Sequence, residues 1–300
     1  MNHFLDINQL SATDVDRLIK RALFFKQQGD YPRYPHYTVA NLFYENSTRT
    51  RVSFELAANH LGMSVVNLSV AQSSENKGEM IEDTVKTLSA MGIQLFVIRH
   101  SEDGMPKKLA FACGEQGQVI NAGDGQHAHP SQAMLDFMTI VEQKPHFQQL
   151  KIAIVGNIRH SRVANSLQML CGLMGVEDLV LVAPELWQPR MVHYGRVTPS
   201  LNEGIENADV IICLRVQHER LNAHDHIDSN LYRRDYALTR ERLGAAKANA
   251  MVMHPGPINR GMEIDSDVVD GPQSFILQQV QNGVFMRMSI LEELVHQKRG

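Results

Sequence analysis

Residues 39–62, VANLFYENSTRTRVSFELAANHLG, carry the clearest indication of how this chain folds. They open with Val39–Phe43, a short run that is mostly apolar on both faces, as buried parallel strands are. After a polar loop, Arg49 to Leu61 are predicted to form a helix that ends at Gly62, because glycine readily takes the left-handed conformation at helix C-termini. The stretch is therefore predicted to be one strand–loop–helix unit of an α/β protein.

The same alternation of short apolar runs and amphipathic stretches continues along all 300 residues. The predicted strands are Val39–Phe43, Val65–Val70, Ile93–Ile98, Val119–Asn121, Ile152–Val155, Leu179–Ala183, Val210–Leu214 and Met251–Met253. Before the first of them, Val15, Leu18 and Ala22 recur at helical spacing, and Ser11 with Asp14 is a candidate helix cap. We therefore expect an α/β protein of two domains, each a parallel β-sheet flanked by helices on both faces.

The polar segment Glu142–Gln149 divides the eight predicted strands four and four. It predicts a first domain over residues 1–141 and a second over residues 150–285. The last helical stretch, residues 286–300, is expected to join the first domain, with capping of the second domain as the alternative. A length of 300 residues agrees with two domains at about 150 residues each.

The charge balance and the cysteine content argue against several classes of protein. The chain has 29 basic and 33 acidic residues, whereas a general nucleic-acid binder needs a basic surface. Its three cysteines are odd in number and widely spaced, which argues against a disulfide framework and fits a reducing cytoplasm. No signal-peptide pattern is visible, and no apolar run approaches the ~20 residues of a membrane span. We therefore expect a cytoplasmic protein that binds neither nucleic acid nor membranes.

Cationic, hydroxyl or imidazole side chains follow seven of the eight predicted strands. Because the carboxyl ends of parallel strands meet at one edge of a sheet, such side chains surround a common ligand site. They are Ser47, Thr48, Arg49, Thr50, Arg51, Ser73, Lys77, Arg99, His100, His127, His129, Gln132, Arg162, Arg215, Gln217 and His254. The pattern favours a small ligand with several negative charges, and the alternative is that charged residues simply favour solvated loops.

The segment Ser47-Thr48-Arg49-Thr50 lies between a predicted strand and the start of a predicted helix. Free backbone N–H groups and the helix dipole favour an anion at such a position, and the hydroxyls add donors. Arg49 and Arg51 bring guanidinium groups, which suit bidentate binding of carboxylate and phosphate. The alternative is an ordinary serine or threonine helix cap.

Several common catalytic and cofactor-binding motifs are missing from the sequence. There is no G-x-x-x-x-G-K-[ST] phosphate loop, no G-x-G-x-x-G dinucleotide fingerprint and no G-x-S-x-G nucleophile elbow. Two groups of histidines superficially resemble metal ligands: His127 with His129, and His218 with His224 and His226. Because no H-E-x-x-H motif or carboxylate triad supports either group, we expect no bound metal and no cofactor.

An ordered set of motifs along the whole chain is similar to the aspartate/ornithine carbamoyltransferase family. The motifs are Phe43-Tyr44-Glu45-Asn46-Ser47-Thr48-Arg49-Thr50-Arg51, Lys77-Gly78-Glu79, Ile98-Arg99-His100, Asn121-Ala122-Gly123-Asp124-Gly125, His129-Pro130-Ser131-Gln132, Ser161-Arg162-Val163, Leu214-Arg215-Val216-Gln217-His218-Glu219-Arg220 and His254-Pro255-Gly256-Pro257. Two positions depart from the family pattern. Gly256 stands where well-known members carry leucine, and Ser161 stands where many carry glycine.

The resemblance implies transfer of the carbamoyl group from carbamoyl phosphate to the amine of L-aspartate, producing N-carbamoyl-L-aspartate and phosphate. This is the committed step of pyrimidine synthesis. For this reaction we expect direct attack without a covalent enzyme intermediate, because phosphate is already a good leaving group. The resemblance also implies that the first domain binds carbamoyl phosphate and the second binds aspartate.

The resemblance further implies roles for individual residues. Carbamoyl phosphate would be bound by Ser47, Thr48, Arg49, Thr50, Arg99, His129, Gln132, Gly256 and Pro257. Aspartate would be bound by Lys77, Arg162, Arg215 and Gln217. Thr50, Arg99 and His129 would contact the carbamoyl oxygen and are the candidate catalytic residues. Members of the family form homotrimers with shared sites, so Ser73 and Lys77 would reach into a neighbouring subunit's site.

Other functions are compatible with parts of the pattern. Ornithine carbamoyltransfer is disfavoured because its Ser-Met-Gly element is missing and His254 is followed by Pro255 instead of cysteine. A non-catalytic subunit would be expected to lose Arg49, Lys77 or His129, which are all present. A sugar-phosphate or nucleotide-binding module would bind its ligand without turnover. The sequence leaves open whether regulatory or dihydroorotase-like chains join the trimer.

Overall fold

The computed structural model describes residues 2–69, 78–216 and 226–297. The chain divides into two compact units: unit 1 is Met1–Leu135 with Val280–Gly300, and unit 2 is Asp136–Gln279. Each unit is built on one parallel sheet that helices flank, so the predicted α/β fold class is confirmed.

The strands and helices alternate along the described parts of the chain. The strands are β1 (Thr38–Phe43), β2 (Ser64–Ser69), β3 (Leu95–His100), β4 (Gln118–Asp124), β5 (Lys151–Val155), β6 (Asp178–Val182), β7 (Arg196–Thr198), β8 (Val210–Cys213) and β9 (Met251–Met253). The helices are α1 (Ala12–Gln28), α2 (Thr48–His60), α3 (Ile81–Ala90), α4 (Met105–Cys113), α5 (Pro130–Gln143), α6 (Arg162–Met174), α7 (Leu201–Ile205), α8 (Ser229–Tyr236), α9 (Arg240–Leu243), α10 (Ser266–Val269) and α11 (Ile276–Gln297).

The sheet of unit 1 has the strand order β2-β1-β3-β4, and all its pairs are parallel. In the register of the central strands, Leu42 of β1 lies beside Leu68 of β2 and Ile98 of β3. Leu42 and Ile98 are buried in a core to which α4 contributes Leu109. The carboxyl ends of β1, β3 and β4 therefore lie next to one another, where a ligand site is expected.

The first helix begins where the sequence predicts. The Ser11 hydroxyl accepts a hydrogen bond from the Asp14 N–H at 3.1 Å, and the Asp14 carboxylate accepts one from the Ser11 N–H at 3.0 Å. Val15 and Leu18 are buried on the inner face of α1, and Gly29 ends the helix in the left-handed region at φ +69°. The predicted helix cap is therefore a complete capping box.

The last helix of the chain packs against α1 inside unit 1. Arg21 forms a bidentate ion pair with the buried Glu292, at 2.5 and 2.7 Å, and the Tyr34 hydroxyl donates to the same carboxylate at 2.8 Å. Burial alone would raise the pKa of Glu292, but the hydrogen bonds from Arg21 and Tyr34 and the nearby positive charge lower it overall. The C-terminal part of the chain is thus tied to unit 1 by buried charge-assisted hydrogen bonds.

The sheet of unit 2 has the strand order β7-β6-β5-β8-β9, again with parallel pairs throughout. Val155 at the end of β5 lies beside Cys213 at the end of β8, and the Leu214 N–H continues the ladder to the Val155 carbonyl at 2.8 Å. Val252 of β9 is buried in the same core as Val155 and Cys213. The carboxyl ends of β5, β8 and β9 therefore form the second edge at which ligand-binding residues are expected.

Two elements differ from the sequence-based expectation. Strand β7 was not predicted, because it has only three residues and the first of them, Arg196, is exposed. Helix α11 begins at Ile276, ten residues before the predicted start at Met286. Its first turns carry Gln279 and Asn282, which are polar but buried, and so they obscure the apolar period that would have predicted the helix.

Within the described ranges, no helix combines the length and the apolar character that crossing a bilayer requires.

Candidate active site

The first turn of α2 presents backbone donors and hydroxyls at the carboxyl end of β1. Ser47 precedes the helix in an extended conformation, and within the described residues its side chain forms no capping hydrogen bond. By contrast, Ser11, Ser161 and Ser200 each accept a hydrogen bond at the start of their own helices. The Ser47 hydroxyl is therefore not engaged as an ordinary cap, and the N-terminus of a 13-residue helix favours an anion.

The neighbouring residues of this turn differ in exposure. Thr48 and Arg49 are exposed, whereas Thr50 is buried. Arg51 is also exposed, and its N–H donates to the Ser47 carbonyl at 3.2 Å as the first bonds of the helix form. Two guanidinium groups thus stand on the outer side of a helix start that is already favourable for negative charge.

Arg99 lies at the carboxyl end of β3, beside the end of β1, and its orientation is fixed by two contacts. Its Nε atom is 3.1 Å from a carboxylate oxygen of Glu45, and one terminal nitrogen donates to the Ala122 carbonyl at 3.2 Å. Only 13% of the Arg99 side chain is exposed. The charge of Glu45 and the hydrogen bond to Ala122 therefore help to hold the guanidinium at the edge formed by β1, β3 and β4.

His129 is placed by a tight turn between β4 and α5. Asp124 and Ala128 exchange backbone hydrogen bonds across this turn, and the Asp124 carboxylate accepts from the Gly104 N–H at 2.7 Å. The His129 carbonyl accepts from the backbone of Gln132 at the start of α5, and both side chains are buried. His129 and Gln132 are thus held at the same edge of the unit 1 sheet as Arg99.

His127, in the same turn, has its own partners and is not part of a metal centre in the described residues. Its Nδ1 atom is 2.9 Å from Asp124 and its Nε2 atom is 3.4 Å from Asp6. The hydrogen bond to Asp124, opposed by partial burial and helped by the charge of Asp6, raises the pKa of His127. Among residues 2–69, 78–216 and 226–297, no group of three His, Cys, Asp or Glu side chains could hold a metal ion. His218 and His224 lie outside the described residues.

In unit 2, Arg162 and Arg215 follow the adjacent strands β5 and β8. Arg162 is the first residue of α6, and Ser161 caps this helix by accepting from the Ala164 N–H at 3.2 Å. The Arg162 side chain is buried, and Arg215 is half-buried directly after the buried Leu214. The sequence predicts that each arginine follows a strand, and the strand order of the unit 2 sheet makes those two strands neighbours.

The turn before Arg162 depends on a glycine. Gly156 has φ +134°, and a side chain there would place its Cβ 3.0 Å from the Cβ of Leu214. Only glycine fits this conformation and this close approach between the ends of β5 and β8.

Gly256 and Pro257 lie in the loop after β9, beside the end of β8. Their peptide bond is cis, and Gly256 has φ +67°, a region that glycine occupies without steric cost. The Gly256 N–H donates to Nδ1 of the buried His254 at 2.8 Å. The glycine that departs from the family pattern therefore suits the backbone conformation at its position.

Three of the predicted site residues, Ser73, Lys77 and Gln217, lie outside the described residues. All the others lie at the carboxyl ends of strands in their own unit. The sequence-based prediction did not single out Glu45 or Asp124, although both stand inside quoted motifs. An acidic residue among basic ones between a strand and a helix is the signal that could have identified Glu45.

The cysteines are poorly suited to nucleophilic chemistry. All three thiols are free and buried, and burial raises the pKa of Cys113 to about 11 and that of Cys171 to about 12. Burial also raises the pKa of Cys213, with a further contribution from the charge of Glu263. The thiols are therefore protonated near neutral pH and react slowly.

Comparison with known proteins identifies relatives along the whole chain. A family model described as the aspartate/ornithine carbamoyltransferase carbamoyl-P binding domain matches residues 2–142, and the Asp/Orn binding domain of the same family matches residues 148–294. The chain is 63% identical over 295 residues to the aspartate carbamoyltransferase catalytic subunit of Legionella pneumophila (strain Corby), covering 98% of this chain and 99% of that protein.

Solved structures of related enzymes have the same fold. Aspartate transcarbamoylase from Trypanosoma cruzi, in complex with carbamoyl phosphate and aspartate, aligns with a TM-score of 0.86 and 30% identity, covering 97% of this chain and 95% of that chain. Ornithine carbamoyltransferase from Pyrococcus furiosus aligns with a TM-score of 0.87 and 27% identity, covering 97% of this chain and 96% of that one. With both domain models matched and a relative that is 63% identical, this chain belongs to the aspartate/ornithine carbamoyltransferase family.

Proposed function

We propose that this chain is an aspartate carbamoyltransferase. It transfers the carbamoyl group of carbamoyl phosphate to the amine of L-aspartate and releases N-carbamoyl-L-aspartate and phosphate, the committed step of pyrimidine synthesis. The observation that carries the proposal is the 63% identity, over 98% of the chain, to a Legionella protein of that name. The positive groups at two sheet edges support it, because both substrates are anions.

We assign carbamoyl phosphate to residues 1–141 with residues 286–300, and aspartate to residues 150–285. In the first set, the Ser47 hydroxyl, which forms no capping hydrogen bond in the described structure, and the exposed Arg49 at the start of α2 support phosphate binding. Thr48 and Thr50 also bind the phosphate, and Gln132 binds the amide of the carbamoyl group. Arg99 and His129 are the remaining members of this half of the site.

The aspartate half rests on Arg162, Arg215 and Gln217. Two guanidinium groups at the adjacent ends of β5 and β8 suit a dicarboxylate, because each can form a bidentate pair with one carboxylate. The backbone of Gly256 and Pro257 lines the carbamoyl group. Lys77, with Ser73, comes from a neighbouring subunit.

The reaction needs no covalent enzyme intermediate. The lone pair of the neutral aspartate amine attacks the carbamoyl carbon, the C–O bond to phosphate breaks, and the departing phosphate accepts the amine proton. Thr50, Arg99 and His129 donate hydrogen bonds to the carbamoyl oxygen as it becomes negative. Each such donor contributes roughly 10²–10³-fold in rate, and holding the two reactants together removes several kcal/mol more of the barrier.

We further propose a homotrimer with shared sites. Val52 and Leu56, one turn apart on α2, and Val66 on the edge strand β2 are exposed apolar side chains of unit 1. Such side chains around an edge strand suit contact with another copy of the chain. We also propose a cytoplasmic location, which the three free cysteines support, and leave regulatory or dihydroorotase-like partners as candidates for higher assembly.

One assay separates this function from its alternatives. The purified chain is incubated with carbamoyl phosphate and L-aspartate, and carbamoyl aspartate is measured colorimetrically, with L-ornithine replacing aspartate in a parallel reaction. We expect product with aspartate and none with ornithine. Product with ornithine alone would support the sister activity, and no product in either reaction would support a non-catalytic module.

A further inference from the structure

A buried histidine and a buried glutamate hold the loop after β9. His254 Nε2 is 3.1 Å from Glu263 Oε1, and both side chains are almost completely buried. The Gly256 N–H points at the other ring nitrogen, Nδ1, at 2.8 Å. Because a backbone N–H can only donate, Nδ1 is the acceptor and Nε2 carries the proton that is donated to Glu263. This contact pattern assigns the tautomer of His254.

The same glutamate oxygen closes the loop at its other end. Glu263 Oε1 accepts the N–H of Asn259 at 2.7 Å, so one carboxylate oxygen is shared by residues 254 and 259. The backbone N–H of His254 donates to Gln279 Oε1 at 2.9 Å, and the side-chain amide of Gln279 donates to Asp136 Oδ1 at 2.8 Å. The six-residue loop that contains Gly256 and Pro257 is thus fixed at both ends by buried polar groups.

Asn259 extends this arrangement to the adjacent strand end. Its side-chain amide donates to the Val216 carbonyl at 3.3 Å. Val216 stands between Arg215 and Gln217, the two residues proposed to hold aspartate after β8. The loop proposed to line the carbamoyl group is therefore hydrogen-bonded to the segment proposed to hold the second substrate.

We propose that His254, Asn259 and Glu263 are positioning residues. They fix the loop of residues 254–259 relative to the segment around Val216 after β8, and Asn259 thereby governs the binding of aspartate. None of the three needs to touch a substrate: they act through the backbone of Gly256 and of Val216. The inference rests on the proposed function and deepens it. A merely structural role would change the stability of the protein without separating the kinetic parameters of the two substrates.

The test replaces Asn259 by alanine, because this partly exposed side chain can be removed while its backbone N–H still donates to Glu263. We expect the KM for aspartate to rise about tenfold or more and the KM for carbamoyl phosphate to change less than about twofold, with the unfolding temperature near that of the parent. Asn259→Asp, which keeps the size and loses the donor, is expected to act in the same direction, since a carboxylate oxygen would then face the Val216 carbonyl.

Gln273→Ala is the matched control. Gln273 also donates a side-chain amide hydrogen bond to a backbone carbonyl, that of Ala250, at a similar distance of 3.2 Å. This bond lies next to the amino end of β9, whereas the loop with Gly256 follows its carboxyl end. We expect this variant to keep both KM values. The inference is overturned if Asn259→Ala behaves like Gln273→Ala, or if it raises both KM values equally. A parent enzyme that forms no carbamoyl aspartate would overturn the proposed function and this inference together.

Discussion

Replacing Ser47 by alanine separates the two roles that a serine at the start of a helix can have. Ser11 and Ser47 both precede their helices in extended backbone conformations, but only the Ser11 hydroxyl accepts a capping hydrogen bond in the described structure. Ser11→Ala is therefore expected to lower the free energy of unfolding by about 1 kcal/mol. Ser47→Ala is expected to change it by less than about 0.5 kcal/mol, because no such bond is lost.

The effect on phosphate binding should be the reverse. A hydrogen bond from a hydroxyl to a charged acceptor contributes about 1.5–3 kcal/mol. At about 1.4 kcal/mol for each factor of ten, loss of the Ser47 hydroxyl is expected to weaken binding about 10- to 150-fold. Ser11→Ala, made at the start of α1, should leave the affinity for phosphate at the parental value.

Two measurements on the parent protein, Ser11→Ala and Ser47→Ala check this reasoning. Urea denaturation measures the free energy of unfolding, and titration calorimetry with inorganic phosphate measures the affinity, with the KM for carbamoyl phosphate as a second estimate. If Ser47→Ala lost about 1 kcal/mol of stability and bound phosphate like the parent, Ser47 would be an ordinary helix cap. The assignment of the phosphate site to the first turn of α2 would then be wrong.

Three further predictions concern catalysis, assembly and pH. His129→Ala is expected to lower kcat roughly 10²–10³-fold while the KM for carbamoyl phosphate changes less than tenfold, because a donor to the developing oxyanion acts mainly in the transition state; equal losses in steady-state kinetics would make His129 a binding residue only. Lys77→Ala and Arg49→Ala should each inactivate the enzyme, but reassembly of an equal mixture should restore about a quarter of the sites, since each intact site then needs one subunit of each kind; no recovery would count against shared sites. Glu292→Gln should destabilise the protein by about 1–3 kcal/mol near neutral pH, because it weakens the buried pair with Arg21. The pKa of Glu292 is lowered in the folded state, so its contribution is present above the ordinary value of 4.5 and is lost as the pH falls through the lowered one; urea denaturation at several pH values should therefore show parent and variant converging in acid, and a constant difference would contradict the assignment.

The sequence predicted most of the fold because burial on both faces leaves a visible pattern. Eight apolar runs correspond to eight of the nine strands in the described structure, and the capping box at Ser11 and Asp14 was read from spacing alone. The exceptions have a common cause. Strand β7 is short and half exposed, and the first turns of α11 bury Gln279 and Asn282, whose polarity is satisfied by partners far away in the chain. The periodicity of apolar residues does not reveal a buried position that is occupied by a polar residue.

The sequence also predicted which residues of the candidate site lie at strand ends, because the strands themselves are visible in the apolar pattern. Arg99 lies in β3 near its carboxyl end, and Arg162 and Arg215 follow β5 and β8 closely. Their positions in the sequence are enough to assign each of them to the carboxyl edge of the sheet in its own unit. What they contact there could not be inferred. The pairing of Arg99 with Glu45 is visible only when the ends of β1 and β3 are side by side. The lack of a capping hydrogen bond from Ser47 is visible only in the backbone geometry at the start of α2.

The chain by itself determined which side chains are charged, which segments alternate as strand and helix, and which family the motifs resemble, because these properties are local or are carried in the order of residues. Tertiary structure alone decided the tautomer of His254, the sharing of one Glu263 oxygen by two ends of a loop, and the reach of Asn259 to the neighbouring strand end. These hydrogen bonds join backbone and side-chain groups up to 43 positions apart. Their geometry depends on which strands lie next to each other in the sheet. The spacing of residues along the sequence does not reveal this arrangement.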